Sequence, residues 1–304
     1  MEPDNLPQEI KFTKMHGNGN DFVLIDEFSG EVVSEDVKSE LVKAVCDRRF
    51  GVGADGLIFI QRSIKADAKF HFFNSDGSIA EMCGNGIRCF SRYVVESGYA
   101  EKELTVETLA GIKHLEVRID KKAYWVKVDM GEPLFASDKI PAQDVGSDIW
   151  KKAFNVDGSS VEVLAVNTGV PHAIIFKDDL VGDIIPVARE IRYSNVFPHG
   201  ANVNFVKVNS EDEIAIRTYE RGVEDETLSC GTGSVAAAVI AHRLGLVSSS
   251  VRVKTKGGLL VIDIGERTYM TGSASRVFDG ILLTSELGWG SNSSLDGYED
   301  KISQ

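Results

Sequence analysis

Hydrophobic and polar positions along the chain alternate between two rhythms. Short apolar runs of four to six residues mark strands at Phe12–Met15, Phe22–Asp26, Leu57–Ile60 and Lys69–Phe73. A stripe of Val37, Leu41, Ala44 and Val45 marks a helix between the first two pairs. Ser34 is its expected N-cap, with Glu35 and Asp36 in the first turn and Arg48 and Arg49 at its end, as the helix dipole favours. Ile87, Phe90 and Val94 share one face of a second helix that ends near Gly98. Three strands follow at Leu104–Thr108, His114–Ile119 and Tyr124–Val128. Residues 136–160 carry little pattern and read as a loop region.

The same plan then recurs. Strands are expected at Glu162–Val166 and Ala173–Phe176, a helix around Ile184–Ile191, and strands at Asn204–Val208 and Glu213–Thr218. A helix carrying Ala236, Ala237 and Ala238 comes next, small residues that permit close packing. Strands at Val251–Lys254 and Leu259–Ile264 close the second half, and Ile281–Leu283 is a possible last strand. Residues 1–9 read as a loose leader, and 286–304, rich in Ser, Gly, Asn and Asp, as disordered.

The recurrence has a chemical signature. Glu81-Met82-Cys83-Gly84-Asn85-Gly86 opens one helix, and Leu228-Ser229-Cys230-Gly231-Thr232-Gly233 opens the other. Gly111 and Gly258 keep the same offset as the two cysteines, and Asn20–Ile25 parallels Val170–Ile175 at nearly that offset. A single duplication of this length is no solenoid. It predicts two similar domains facing each other, each presenting a cysteine at a helix N-terminus.

Bulk properties narrow the partners. A chain of 304 residues with 43% hydrophobic content can fill two cores. A net charge of −13 disfavours nucleic acid and anionic membranes. No apolar run approaches the roughly 20 residues of a membrane span, and the start of the chain lacks the features of a signal peptide. Four cysteines in such a chain point to free thiols in a reducing cytoplasm. No Cys-x-x-Cys or tight Cys/His cluster exists, so no metal is expected. His16-Gly17-Asn18-Gly19-Asn20 lacks the spacing and following helix of a nucleotide loop.

A helix N-terminus offers unpaired N–H groups and partial positive charge, which favour a thiolate and hold a carboxylate. Two such tips, face to face, would clasp a carboxylate with a thiol on either side. That suits inversion of a stereocentre next to a carboxylate: one thiolate removes the α-proton and one thiol returns a proton on the opposite face. The preorganised N–H groups would stabilise the charge that develops, in a dry, closed site. Other readings remain: a structural disulfide, a thiol-redox protein cycling Cys83 and Cys230, or a binding protein that keeps the cleft. Cys46 and Cys89, on helices without a glycine turn, read as small buried hydrophobes.

The chain from about 11 to 285 resembles the diaminopimelate epimerase family. The resemblance rests on Lys14-Met15-His16-Gly17-Asn18-Gly19-Asn20-Asp21-Phe22, Phe73-Asn74-Ser75-Asp76-Gly77-Ser78, Cys83-Gly84-Asn85-Gly86-Ile87-Arg88-Cys89, Tyr219-Glu220-Arg221-Gly222 and Cys230-Gly231-Thr232-Gly233. It implies an α+β fold of two pseudo-symmetric domains, each a sheet wrapped around a central helix. The first domain would span 11–129 plus 271–285 and the second 130–270, with 1–10 and 286–304 as flexible tails.

It implies interconversion of LL- and meso-diaminopimelate for lysine and cell-wall synthesis, with neither pyridoxal phosphate nor metal. Cys230 would accept the proton and Cys83 donate it in the LL-to-meso direction. His172 and Glu220 would tune the thiols. Gly84, Asn85, Gly231 and Thr232 would hold the reacting carboxylate, and Asn20, Asn74, Asn202, Glu220 and Arg221 the rest of the substrate. Tyr269 would contact the second subunit of a homodimer. Another racemase or isomerase of the same fold is the nearest alternative. The chain departs from the family pattern at Val170, where an asparagine is common and Asn167 is the expected substitute. It departs again at Gly56, where a glutamine is common, and in a Gly222–Cys230 loop one residue longer than usual.

Overall fold

A computed structural model of the protein describes residues 6–121, 123–142, 150–156 and 159–287. The first half runs β1 (Glu9–Gly17), β2 (Asn20–Asp26), α1 (Glu35–Cys46), β3 (Gly56–Gln61), β4 (Ala68–Asn74), α2 (Gly84–Glu96), β5 (Glu103–Thr108), β6 (Gly111–Asp120) and β7 (Ala123–Gly131). The second begins with β8 (Trp150–Val156), then β9 (Ser159–Asn167), β10 (Pro171–Phe176), α3 (Ile185–Arg192), β11 (Asn202–Ser210), β12 (Glu213–Glu220), β13 (Asp225–Thr227), α4 (Gly231–Arg243), β14 (Ser250–Thr255), β15 (Gly258–Ile264) and β16 (Thr268–Ser273). The last strand, β17 (Ser275–Leu283), returns to pair with β1.

The repeat is visible strand by strand. β1–β2 and β9–β10 are antiparallel pairs. A crossover through α1 or α3 then makes β2–β3 and β10–β11 parallel. β3–β4 and β11–β12 turn back antiparallel. A second crossover, through α2 or α4, makes β4–β5 and β12–β14 parallel, and an antiparallel meander ends each half as β5–β6–β7 or β14–β15–β16. The halves are joined by an antiparallel seam between β7 and β16. This is an α+β architecture in which crossover helices alternate between the outside of the sheet (α1, α3) and its inside (α2, α4).

Burial explains the sequence pattern. β2 buries Phe22 and Leu24 on α2's side and Val23 and Ile25 on α1's side, so it reads as an unbroken apolar run. β10 does the same, with Ile174 inward and Ala173 and Ile175 beneath α3. The inner core is shared by both halves: Phe90 and Val94 of α2 belong to one cluster with Val235 to Ala241 of α4. α4 is enclosed and apolar on nearly every side. Each fully buried large side chain in this core contributes about 1.5–3 kcal/mol.

Several elements differ from expectation. The supposed loop 136–160 contains β8, paired with β9. β13 and β16 were not foreseen, and β17 starts at Ser275, well before the expected Ile281. β1 begins at Glu9, inside the supposed leader. Ser34 makes no side-chain cap to α1, because its hydroxyl bonds Asp36 instead. α1 ends at Cys46, and Arg48 is drawn away to Asp21 and Asp55. Residues 1–5 and 288–304 of the expected tails lie outside the described residues, while Thr284–Glu286 forms a short 3-10 turn.

Candidate active site

α2 and α4 meet at their N-termini. Cys83 is the N-cap of one and Cys230 of the other, both extended, and each helix has 13 residues. A Cβ at Gly84 would lie 3.8 Å from the Gly231 Cα, and one at Gly231 would lie 3.7 Å from the Gly84 Cα. A larger residue at either position would press on the end of the Met270 side chain, 3.0 Å from the Gly84 Cβ position and 3.2 Å from that of Gly231. Each sulfur caps its own helix: Cys83 Sγ accepts from Gly86 N at 3.5 Å and Cys230 Sγ from Gly233 N at 3.4 Å. All four cysteines are free thiols.

The surroundings of the two sulfurs differ. Asn18 and Gly19, both at positive φ, form the two-residue turn between β1 and β2 and deliver Asn20 to the first tip. Asn20 Nδ2 donates to Asp55 Oδ2 at 2.6 Å, which orients the amide. Its Oδ1 then accepts from Cys83 Sγ at 3.7 Å and Asn85 Nδ2 at 3.3 Å. Behind it, Lys14 and Arg48 hold Asp21, and Arg48 also grips Asp55. The cations keep the Asp21 carboxyl far below its usual range against the cost of its burial.

Asn85 Nδ2 also donates to Ser229 O at 3.0 Å, tying the first tip to the residue before Cys230. At the second tip Thr232 Oγ1 lies 3.4 Å from Cys230 Sγ, and its carbonyl accepts from Thr168 Oγ1 at 3.0 Å. Burial pushes the Cys83 thiol up to about 11, helped by the negative charge of Glu220 and opposed by the N–H groups of Gly86 and Asn85. Burial, Glu220 and Cys83 push the Cys230 thiol up further. Burial raises Glu220 too, and hydrogen bonding to Thr227 and Cys230 restrains it. The site therefore holds both sulfurs as thiols, with a carboxyl of raised pKa against Cys230.

His172, on β10, is fully buried. Asn204 Nδ2 donates to its Nδ1 at 3.0 Å and to Ala173 O at 3.3 Å, and Asn204 Oδ1 accepts from Thr218 Oγ1 at 2.9 Å. The bond to a carbonyl fixes the amide's orientation, so Nδ1 accepts and the ring proton sits on Nε2. That Nε2 is buried without a partner, as are Asn85 Oδ1 and the Ser229 hydroxyl. Such orphaned groups are costly unless a ligand satisfies them.

Burial pushes His172 down to about 3, with Arg221's charge adding to the effect, so the ring is neutral at physiological pH. The unfolded chain takes up this proton near 6.5 and the folded chain only near 3. The stability contributed is present above pH 6.5 and lost as pH falls towards 3, on the order of 3–5 kcal/mol. Urea melts of the wild type should lose stability more steeply between pH 6.5 and 4 than those of His172→Asn. Parallel slopes would show that the ring is not held neutral.

The remaining expected residues fall into two groups. Asn202 is His172's cross-strand partner, and its Oδ1 accepts from Arg221 N at 2.8 Å. Arg221 Nη1 is anchored by His199 O at 2.9 Å and Gly200 O at 3.4 Å. Asn74, by contrast, sits exposed at the end of β4, its amide bonded locally to Ser78. Tyr269 lies on the β16 seam, half-buried, with Lys127 over its ring at 4.6 Å.

The departures from the family pattern also resolve. Asn167 is not free to replace an asparagine at Val170: its Nδ2 donates to Lys139 O at 2.7 Å and its Oδ1 accepts from Gly169 N at 2.9 Å. At Gly56 a Cβ would fall 2.5 Å from the Phe72 ring and 2.6 Å from Phe73 O, so no side chain fits. Sequence reading missed Asn204, Ser229 and Asp55; the Asn-x-Asn of Asn202–Asn204 on an otherwise apolar strand was the one available signal. No group of three or more His, Cys, Asp or Glu side chains among the described residues is placed to hold a metal.

The sequence pattern that defines diaminopimelate epimerases matches residues 12–136 and 164–277. The chain is 63% identical over 279 residues to the diaminopimelate epimerase of Archaeoglobus fulgidus, covering 91% of this chain and 98% of that one. It is 50% identical over 275 residues to that of Methanothrix thermoacetophila, covering 90% and 96%. Among solved structures, a Bacillus anthracis phenazine biosynthesis protein of the PhzF family shares the fold with a TM-score of 0.65 at 17% identity, over 91% of this chain and all (100%) of that one. A hydroxyproline epimerase of Agrobacterium vitis does so with a TM-score of 0.65 at 16% identity, over 93% and 98%. Two cysteine-capped helices meeting tip to tip, and similarity along nearly the whole chain, place this protein in the diaminopimelate epimerase family.

Proposed function

We propose that this protein is an isomerase that interconverts LL- and meso-diaminopimelate, without a cofactor, by a two-thiol mechanism. The observation that carries this reading is the approach of two cysteine-capped helix tips to each other at Gly84 and Gly231. The reacting carboxylate would lie between the helix tips, against the backbone N–H groups of Gly84, Asn85, Gly231 and Thr232. The α-carbon is then flanked by Cys83 and Cys230. In the LL-to-meso direction Cys230, as thiolate, takes the α-proton, and the Cys83 thiol gives its proton to the other face. The charge that builds on the carboxylate is stabilised by donors already in place, in a site that excludes water.

Glu220 is suited to take the Cys230 proton on activation, because burial raises its pKa towards that of its partner. His172 offers a neutral Nε2–H, held in that tautomer by Asn204. Arg221 and Asn202 would grip the distal carboxylate and amino group, and Asn20 and Asn74 would line the remaining contacts. Asn74 would have to turn from Ser78 to do so. The test is solvent deuterium incorporation at one α-carbon of LL-diaminopimelate, with meso product and no added cofactor. Folded, reduced protein that incorporates none overturns the reading.

Cytoplasmic lysine and peptidoglycan-precursor synthesis follows from the same reading; among the described residues no helix is long and apolar enough to cross a membrane. The domains would be 11–129 with 271–285, and 130–270, a division supported by the β17–β1 pairing. A homodimer belongs to the proposal. Tyr269, half-buried on β16 with Lys127 over its ring, is one contact assigned to the second subunit. Val277, Phe278, Ile281 and Leu283 are exposed on β17, which among the described residues pairs only with β1, and a second copy is the occupant that would cover this apolar strand. Phe278→Asp should sediment as a monomer where the wild type sediments as a dimer; a variant that remains a dimer removes β17 from the interface.

A further inference from the structure

Arg88 lies on α2, one turn inside the tip that carries Cys83, and its side chain is fully buried. Its guanidinium donates through Nη1 to Gly84 O at 3.0 Å, through Nη2 to Asn18 Oδ1 at 2.8 Å and through Nε to Ser273 O at 3.2 Å. Met270 Sδ lies 4.0 Å from Nη1. Every one of these acceptors is neutral. Among the described residues no carboxylate approaches within ion-pair distance. Gly17 and Gly272 make the space: a Cβ on Gly17 would fall 2.9 Å from Nη2, and one on Gly272 would fall 2.8 Å from Nε. The position is built for this side chain rather than merely tolerant of it.

A buried charge without a counter-charge is expensive, and the usual remedies are a partner ion or neutralisation. Arginine resists neutralisation: burial lowers Arg88 only to about 10, so it stays cationic at neutral pH. The titratable groups that face it are the thiols of Cys83 and Cys89. Cys89 is pushed by burial up to about 12 and remains a neutral core residue, with Arg92 as its other cationic neighbour. Cys83 is the facing group whose proposed chemistry passes through an anion. The charge of Glu220 opposes that anion.

We infer that Arg88 is a positioning residue that supplies the buried positive charge opposite the Cys83 thiolate and the carboxylate held between the helix tips. The inference rests on the reading of Cys83 as an acid–base thiol. It explains how a thiol raised by burial and repelled by Glu220 ionises during turnover. The cation acts through the dry interior, where charge interactions are stronger than in water, and its hydrogen bond to Gly84 O locks the tip on which the thiol sits. Arg88 touches no reacting atom, so its contribution is electrostatic and geometric.

The test measures Cys83 ionisation directly, as the pH dependence of iodoacetamide alkylation of the Cys83 peptide by mass spectrometry in the full-length protein. Arg88→Gln keeps N–H donors but removes charge; alkylation at pH 8 should slow about tenfold, the equivalent of one unit upward in the thiol's midpoint. Arg88→Lys keeps charge and loses the fork of hydrogen bonds; its alkylation profile should stay within about threefold of the wild type even if turnover falls. Should Arg88→Gln fail to fold, Asn18→Asp carries the test, because it sets a carboxylate against Nη2 and should slow alkylation in the same direction. An unchanged pH dependence in folded Arg88→Gln, or in Asn18→Asp in its place, overturns the inference, as does equal slowing in Arg88→Gln and Arg88→Lys. Failure of deuterium incorporation in the wild type bears instead on the epimerase reading, since alkylation does not depend on substrate.

Discussion

Replacing either Cys83 or Cys230 by alanine is expected to reduce epimerisation by about 10²–10⁴-fold, the range that general acid–base groups typically contribute. The fold should survive. Each sulfur caps its helix through one N–H at 3.4–3.5 Å, and losing an N-cap costs about 0.5–2 kcal/mol. The two variants should differ from each other in an informative way. With LL substrate, Cys83→Ala keeps Cys230, the thiol proposed to remove the α-proton, so deuterium should wash into LL-diaminopimelate without inversion. Cys230→Ala should show neither exchange nor inversion from that side. Meso substrate should reverse the pattern. Equal turnover by either variant and the wild type, or exchange in both variants with LL substrate, would remove the assignment of one thiol to each face.

Arg221→Met should raise KM about 10²–10³-fold while kcat changes by less than about tenfold, because truncating one member of a hydrogen-bonded charge pair costs about 2–5 kcal/mol. The guanidinium is anchored on one side by the carbonyls of His199 and Gly200, and its backbone by Asn202. Among the described residues no carboxylate pairs with it, which leaves a preorganised fork for a carboxylate ligand. The distal carboxylate is what separates a substrate with two amino-acid ends from a simple amino acid. Steady-state kinetics at saturating and trace substrate separates the two parameters. An unchanged KM would detach Arg221 from the distal end and favour a smaller substrate in the same cleft.

What the chain reveals about its fold depends on how each element is buried. β2, β3, β10 and β11 are covered on both faces and announce themselves as apolar runs. β8 escapes notice because among the described residues it pairs only with β9, and its composition, Trp150-Lys151-Lys152-Ala153-Phe154-Asn155-Val156, is that of an edge. β16 escapes because its three inward positions are Thr268, Met270 and Gly272, small or flexible groups, of which Met270 and Gly272 pack around Arg88 and the helix tips.

The site follows the same logic. The cysteines were legible because duplication prints them twice beside glycines. Asn204 and Arg88 were not, because their meaning lies in partners far along the chain: His172 and Thr218 for one, Asn18 and Ser273 for the other. Asn167 misled for a local reason, since its amide closes its own turn. Gly56 could not be understood from sequence at all, because the Phe72 ring that fills its space comes from the neighbouring strand.

The pairing of β1 with β17 has a consequence for how the molecule is made. Ile10 meets Leu282 and Phe12 meets Gly280, partners separated by almost the entire chain. A ribosome emits about 5–20 residues per second, so β1 waits many seconds with one edge unmatched, and β7 waits likewise for β16. The amino-terminal half therefore stays unfinished until β17 has been made. Stalled nascent chains ending near residue 270 should remain open to protease in the first half, whereas chains carried past Leu283 and clear of the exit tunnel should become resistant. Early resistance would mean that the first half closes on its own and that the last strand is only an addition to it.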